Sequence, residues 1–368
     1  MWLLARPEAL TVWKRPRVKE SLGWYYSVMT REKPSKYLLA KRIETTIDPD
    51  EADEEKLWSQ HSKLSAIFKN MHRKVIEGSL DLHEMPEPRR SFLDIKIALA
   101  RSMLRRCRFC ERKCHVDRLS GQRGFCNLDS NSRVSTYFLH TGEEAPLIPS
   151  GTIFFTSCTF RCAFCQNYDI STNPLNGDPT TSEDLARIME SLAKENARNI
   201  NFVGGEPTMH LHTILSSLKL TDISIPMLWN SNMYCSEETM ALLSELIDIW
   251  LPDFKYGNDS CARRLSKVEN YFQVASRNHL KAAENGDVIV RHLVLPNHVE
   301  CCTKPVLRWL SENCPRALVN IMGQYRMEHL VARFPEQYAD IARRPSAEEM
   351  SDAFEYAKML GIEFESVS

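Results

Sequence analysis

From residue 150 onward, short apolar runs alternate with longer stretches in which apolar residues return every three or four positions. An unbroken run bounded by turn residues is the pattern of a strand buried on both faces, and a return every 3.6 residues is that of an amphipathic helix. Their alternation predicts parallel βα units. The predicted strands are 152–157, 199–204, 226–231, 249–254, 288–295 and 317–323. The predicted helices between them are 182–197, 208–219, 236–247, 260–284 and 304–313, the first opened by the capping-box spacing of Thr181 and Asp184. Six strands fall short of the eight of a complete TIM barrel. Upstream, amphipathic runs over 57–76 and 92–106 predict two helices, separated by Met85-Pro86-Glu87-Pro88, because proline disfavours helical geometry in the residue before it. Residues 1–100 are expected to form a helical or irregular extension, 101–148 a cysteine-rich metal-binding segment, and 149–368 an α/β core with a C-terminal helix.

Composition bounds this picture. A chain of 368 residues with 43% hydrophobic content can bury one large core plus an appendage. The formal net charge of −1 gives no global basic field for nucleic acid, although Lys and Arg are locally dense between 101 and 123. The opening Met1-Trp2-Leu3-Leu4-Ala5 is too short for a signal sequence, and no apolar run reaches membrane-spanning length. A soluble, cytoplasmic protein is expected. Twelve cysteines clustered at metal-ligand spacings favour a reducing compartment over a disulfide scaffold. Seven fall into two clusters; the other five, Cys235, Cys261, Cys301, Cys302 and Cys314, are read as buried free thiols.

The sharper cluster is Ser157-Cys158-Thr159-Phe160-Arg161-Cys162-Ala163-Phe164-Cys165-Gln166-Asn167, directly after the apolar run Thr152-Ile153-Phe154-Phe155-Thr156. Cys-x3-Cys-x2-Cys lets one loop place three thiolates at three corners of a cubane iron-sulfur cluster, with no fourth cysteine nearby to close the last corner. A structural zinc site would need a fourth ligand. The other cluster, Cys107, Cys110, Cys114 and Cys126, supplies four thiolates, enough to close a tetrahedral zinc site or to ligate an iron-sulfur cluster completely. Arg105, Arg106, Arg108, Arg112 and Lys113 would either offset the thiolate charge or form a solvated face.

The three-cysteine loop resembles the signature of radical S-adenosylmethionine (SAM) enzymes, and the chain over about 150–325 is similar to the activating enzymes of pyruvate formate-lyase and their uncharacterised homologues with a cysteine-rich lead. This resemblance implies a partial (β/α)6 barrel with a lateral opening through which a bulky substrate can enter. It also implies a 4Fe-4S cluster on Cys158, Cys162 and Cys165, whose unique iron is chelated by the amino and carboxylate groups of SAM. Phe164 is then placed near the adenine.

Further residues extend the resemblance. Gly204-Gly205-Glu206-Pro207 ends the second predicted strand with two glycines, which let backbone approach a ligand, and a carboxylate that can accept from an ammonium. It matches the family's GGEP motif, which binds the SAM amino group; an ordinary strand-to-helix turn is the competing reading. Asn230-Ser231-Asn232 is similar to the family's Asp-Thr-Asn, with Asn230 in place of the acid and Met233 in place of the following glycine. These side chains contact SAM or cap the next helix. Asp253 and Lys255 share a strand face by their i, i+2 spacing, and the resemblance places both near SAM; a plain interior ion pair is the alternative. Arg291, in an apolar strand, needs an anionic partner, for which the SAM carboxylate and Glu206 are candidates. His292 is read as a satisfied core histidine, and Gly323-Gln324-Tyr325 as polar groups facing the reacting centre.

The implied activity is reductive cleavage of SAM to a 5′-deoxyadenosyl radical that abstracts hydrogen. A low-potential donor such as flavodoxin or ferredoxin would supply the electron. The substrate is a glycine of a protein partner, as in glycyl-radical-enzyme activation, or another peptide, small-molecule or RNA target. A non-catalytic iron-sulfur or zinc scaffold is the third alternative, which the retained SAM-binding residues argue against.

Overall fold

The computed structural model describes residues 6–82 and 85–367; the opening Met1–Ala5 lies outside them. Two long helices, α1 (Glu54–Glu77) and α2 (Phe92–Arg105), occupy the predicted upstream positions. Asp53 accepts from the Lys56 amide and Gly78, at φ 73°, ends α1; the reciprocal Ser91/Asp94 capping box opens α2.

Among the described residues eight strands form one open sheet. Six run parallel in the order β2 (Ser150–Phe155), β4 (Ile200–Gly204), β5 (Met227–Ser231), β6 (Ile249–Pro252), β7 (Asp287–Leu293) and β8 (Leu318–Met322). The connecting helices are α3 (Ser182–Lys194), α4 (Leu211–Lys219), α5 (Glu237–Leu243), α6 (Asp259–Ser266), α7 (Tyr271–Asn285) and α8 (Lys304–Asn313), with α9 (Ala347–Met359) following β8. This is the expected partial, unclosed barrel.

The fold also departs from expectation. Two strands were not foreseen: β1 (Arg133–His140) pairs antiparallel with β2, and the two-residue β3 (Asp178–Pro179) pairs with β1 at the edge. Of β1 only Val134 is buried, while Tyr137 and Phe138 are exposed, so no repeating buried face marks it. The single helix expected over 260–284 is two, α6 and α7, because Lys267 (φ 56°) and Asn270 (φ 51°) turn the chain into left-handed geometry. The strand expected over 249–254 ends at Pro252, beyond which Asp253 bridges to Arg291. The α3 and α5 helices stop three and four residues before their expected ends at 197 and 247, and the helix expected from 208 begins as a 3₁₀ turn, Pro207–His210.

The N-terminal extension packs onto the barrel. Val12, Trp13, Val18, Leu22 and Tyr25 join Leu228, Ile249, Leu251, Ile289 and Leu318 from the strands in one buried cluster. Beneath the sheet, buried Asp248 accepts from Trp24 Nε1 (2.8 Å), the Lys36 amide (3.0 Å) and the Met227 amide (2.8 Å). The extension thus plugs the end opposite the strands' C-termini. No helix of the described residues is long and apolar enough to cross a membrane.

Candidate active site

At the C-terminal edge of the parallel strands lies a cavity of about 830 Å³, where parallel α/β folds build their sites. Its walls bring together Cys158, Cys162, Phe164 and Cys165 from the loop after β2, Gly204, Gly205 and Glu206 at the end of β4, and Asn230, Ser231 and Asn232 at the end of β5. Asp253, Lys255, Arg291 and Gln324 complete it. Residues spread over more than 160 positions of sequence thus meet at one surface because each lies in the C-terminal half of a parallel strand or just beyond it.

The cysteine loop is held at both flanks. Ser157 leaves β2 at φ 68°, its amide bonded to Ile170 O (2.7 Å). The Arg161 and Ala163 amides donate to Ser266 O (2.9 Å) and Leu265 O (2.7 Å), using carbonyls that the end of α6 leaves unpaired. The sulfurs receive donors: the Phe160 amide (3.3 Å) and Asn232 Nδ2 (3.5 Å) at Cys158, and the Ser266 hydroxyl (3.0 Å) at Cys162. Ser171 Oγ lies 3.3 Å from Cys165 Sγ. Burial pushes the Cys158 thiol well up, reinforced by the charges of Glu206 and Cys162. Burial also raises Cys162 to about 11, with Lys255 opposing and Cys165 adding to the rise. Three thiolates here call for a cationic centre to compensate them, as iron provides.

The glycines pack protein against protein as well as lining the cavity. A Cβ on Gly204, at φ 118°, would fall 2.1 Å from Phe155 O, and one on Gly205 1.9 Å from Ser157 O. Glycine is therefore what lets the end of β4 lie against the cysteine loop. Gly205→Ala is expected to cost about 1–3 kcal/mol by overpacking and to lower the iron retained after anaerobic reconstitution, measured per chain; full iron retention would show that the loop yields freely.

Glu206 lines the cavity and is also held by its neighbours. Its carboxylate is buried and accepts from the Thr208 hydroxyl, the Ser231 hydroxyl (2.7 Å), the Asn232 amide (2.9 Å) and the Thr208 amide (3.2 Å). Burial raises its pKa, and these donors oppose the shift. It ties the ends of β4 and β5 together at the cavity wall. Ser231 and Asn232 therefore do not cap α5, whose cap is Ser236. Asn230 Nδ2 is buried without a partner, a donor that a ligand in the cavity would satisfy.

Arg291 lines the cavity but is paired with Glu143 and Glu144, not with Glu206. It forks onto Glu144 (Nε to Oε1 2.7 Å, Nη2 to Oε2 2.8 Å) and also bonds Glu143; Asn320 donates to Glu144 (2.7 Å). Burial alone would raise Glu144, but Arg291 and Asn320 outweigh it and hold its carboxyl below the ordinary value. Lys255 Nζ bonds Asp253 at 2.6 Å. Burial works against the Lys255 charge, but Asp253 and Cys162 outweigh it and raise its pKa. His292 is satisfied in the core, Nδ1 by Phe254 O (2.7 Å) and Nε2 by Thr303 Oγ1 (2.9 Å). Tyr325 does not face the centre: it is buried, donates to Ile341 O (2.7 Å) and meets the Phe164 ring edge-on at 5.7 Å.

Cys107, Cys110, Cys114 and Cys126 lie beside this loop. Burial raises the Cys110 thiol well up, with Cys126, Cys107 and Cys114 adding to it, so the four share one neighbourhood. The basic residues around them do more than offset thiolate charge: Arg108 pairs with Glu54 and Glu238, Lys113 with Glu111, and Arg112 donates to Thr159 O (3.1 Å). The guanidiniums of Arg112 and Arg161 lie 3.8 and 4.4 Å from the Phe125 ring centroid, and Arg161 donates to Phe125 O (2.7 Å). The two cysteine clusters are thereby stitched together.

No motif marks Arg6, Glu8, Thr11 and Arg15, or Glu365–Val367, yet the extension and the tail also line the cavity. Nor does a motif mark Glu143 and Glu144. Cys301 is exposed rather than a buried thiol, and with Cys261, His298 and Cys302 it forms a compact group away from the cavity.

Residues 152–310 match the family model of the Radical SAM superfamily. The chain carries a radical SAM domain, which implies an enzyme with a 4Fe-4S cluster and SAM. More particularly, it is 40% identical over 348 residues to the uncharacterized protein MJ0674 of Methanocaldococcus jannaschii, covering 93% of this chain and 98% of that one, and belongs to one family with it. It is 29% identical over 121 residues to the uncharacterized protein MJ0808 of the same organism, over 28% of this chain and 36% of that protein. Among solved structures, Streptococcus suis SuiB bound to S-adenosylmethionine is similar at a TM-score of 0.40 and 16% identity, over 55% of this chain and 45% of that one. TYW1 with a lysine-pyruvate adduct bound is similar at 0.36 and 14%, over 58% of this chain and 74% of that one.

Proposed function

We propose that this enzyme binds SAM in the cavity above β2, β4, β5, β6 and β7 and abstracts a hydrogen atom from a substrate entering the same space. The observation that carries the reading is the convergence of three thiols, the Gly204-Gly205 backbone, the unpartnered Asn230 amide and the Asp253/Lys255 pair on one wall system. When bound, a 4Fe-4S cluster and SAM supply a reductively generated 5′-deoxyadenosyl radical. The chain's own part is placement and exclusion. Cys158, Cys162 and Cys165 hold the cluster, with Ser266 and Asn232 donating to two of the sulfurs. Asn230 and the backbone at Gly204 and Gly205 face the polar end of SAM, and Phe164 offers a ring to its adenine. Arg291 pairs with Glu143 and Glu144 in the wall and compensates the Glu144 charge, which burial opposes.

On this reading residues 1–100 brace the core, 101–148 form a second metal-binding segment, and 149–368 form the catalytic unit. A flavodoxin- or ferredoxin-like donor supplies electrons, and a glycine on a protein partner is the substrate favoured by the sequence resemblance. The twelve unpaired cysteines suit a reducing, cytoplasmic setting. Anaerobically reconstituted protein given dithionite and SAM should release 5′-deoxyadenosine; none released would sink the catalytic reading. A glycine-centred radical signal on a partner tests activation, and its absence across candidate partners would redirect the search to other substrates. The iron and zinc counts of a Cys158/Cys162/Cys165 triple alanine variant should fall further when Cys107, Cys110, Cys114 and Cys126 are replaced as well; an unchanged count would remove the second site.

A further inference from the structure

We propose that Cys261, His298, Cys301 and Cys302 bind one structural zinc ion, a site separate from both cysteine clusters above. Cys261 lies in the first turn of α6, and the other three follow β7 on the neighbouring connection. All four ligand atoms lie within 4.8 Å of one another. His298 Nδ1 is 3.5 Å from Cys261 Sγ, 3.2 Å from Cys301 Sγ and 3.9 Å from Cys302 Sγ, and Cys301 Sγ is 3.9 Å from both other sulfurs. A tetrahedron built on ordinary zinc-sulfur and zinc-nitrogen bonds has S–S edges of about 3.8 Å and S–N edges of about 3.6 Å. The four atoms already stand near those corners. Three thiolates and an imidazole leave no open position, which is the donor set of a structural zinc site.

The surroundings hold the ligands in place. His298 turns Nδ1 to the sulfurs and Nε2 to Asp340 Oδ2 at 3.0 Å, the carboxylate-histidine arrangement that fixes a metal-binding tautomer. Asn258 caps the Cys261 amide through Oδ1 (2.9 Å) and, through Nδ2, donates to Cys301 O (2.8 Å) and lies 3.8 Å from Cys302 Sγ. A π-helical turn, Val299–Thr303, carries Cys301 and Cys302, and such widened turns recur at functional sites. Gly257 admits the contact between the two connections, since a Cβ there would fall 2.8 Å from Cys301 O. The same α6 that starts at this site ends at Leu265 and Ser266, which brace the three-cysteine loop. A closed ion here would anchor one end of the helix whose other end positions the candidate active site.

The test uses the intact, anaerobically purified, cluster-loaded chain, alkylated with iodoacetamide and peptide-mapped. Cys301, although exposed, should resist alkylation and react about tenfold faster or more once a zinc chelator is added, because a metal-bound thiolate is withheld as a nucleophile. An unchanged rate would overturn the proposal, as would release by reductant alone, which would indicate a disulfide. Asp340→Ala, a change at a partly exposed carboxylate, should weaken zinc retention in competition with a chromophoric chelator by about 10–100-fold. Cys301→Ser should lose one equivalent of zinc per chain with iron unchanged. Unaltered zinc content and affinity in both variants would count decisively against the site.

Discussion

Cys162→Ala is expected to abolish 5′-deoxyadenosine release while the barrel stays folded. Cys162 is the middle ligand of the loop; its sulfur lies near Cys165 and Lys255 and receives the Ser266 hydroxyl at 3.0 Å. Two remaining thiols hold two corners of a cubane rather than three, and a cluster so held is lost or mispositioned. The loop itself should persist, because the amides of Arg161 and Ala163 still bond the end of α6. Circular dichroism should therefore match the parent while SAM-dependent product falls to background. Product formation within tenfold of the parent would show that the cluster is ligated elsewhere.

Lys96→Met is expected to be the most damaging single change to stability, at about 3–5 kcal/mol, the cost of leaving one member of a buried ion pair alone. Lys96, in α2, is fully buried. Its ammonium donates to Glu245 Oε2 (2.6 Å), Leu242 O (3.0 Å) and Ala241 O (3.1 Å), lies 2.9 Å from His61 Nε2 of α1, and sits over the Phe92 ring. Burial, helped by the Lys96 charge, pushes His61 down to about 3, so His61 stays neutral and Lys96 carries the charge that compensates Glu245. The contact joins the extension to the end of the β5–β6 connection. In denaturant titration Lys96→Met should show a large fall in midpoint, and Lys96→Met combined with Glu245→Leu should recover most of it. A loss below about 1 kcal/mol for the single variant would mean that Glu245 is protonated or solvated when alone.

These cases show where sequence reasoning is strong. The six parallel strands were legible because each is a short, mainly apolar run buried on both sheet faces, with a helical period on either side of it. The cysteine loop was legible because its three thiols lie within eight residues. Strand β1 was not, since one buried residue carries no periodicity and its partner is decided by the sheet edge. The break between α6 and α7 was hidden because Lys267 and Asn270, rather than glycine or proline, make it. Arg291 announced its need for an anion, but Glu143 and Glu144 lie almost 150 positions away, in a connection with no motif.

The sequence by itself therefore determined the βα alternation, the three-thiolate loop and the set of strand-end residues that surround it, because spacing and local burial encode those directly. Only the tertiary structure decided that Glu206, in the cavity wall, also ties β4 to β5, that the N-terminal extension plugs the barrel and lines the cavity, and that Cys261 meets His298, Cys301 and Cys302. Each of those depends on which distant segments share a boundary, and a linear pattern carries no term for that.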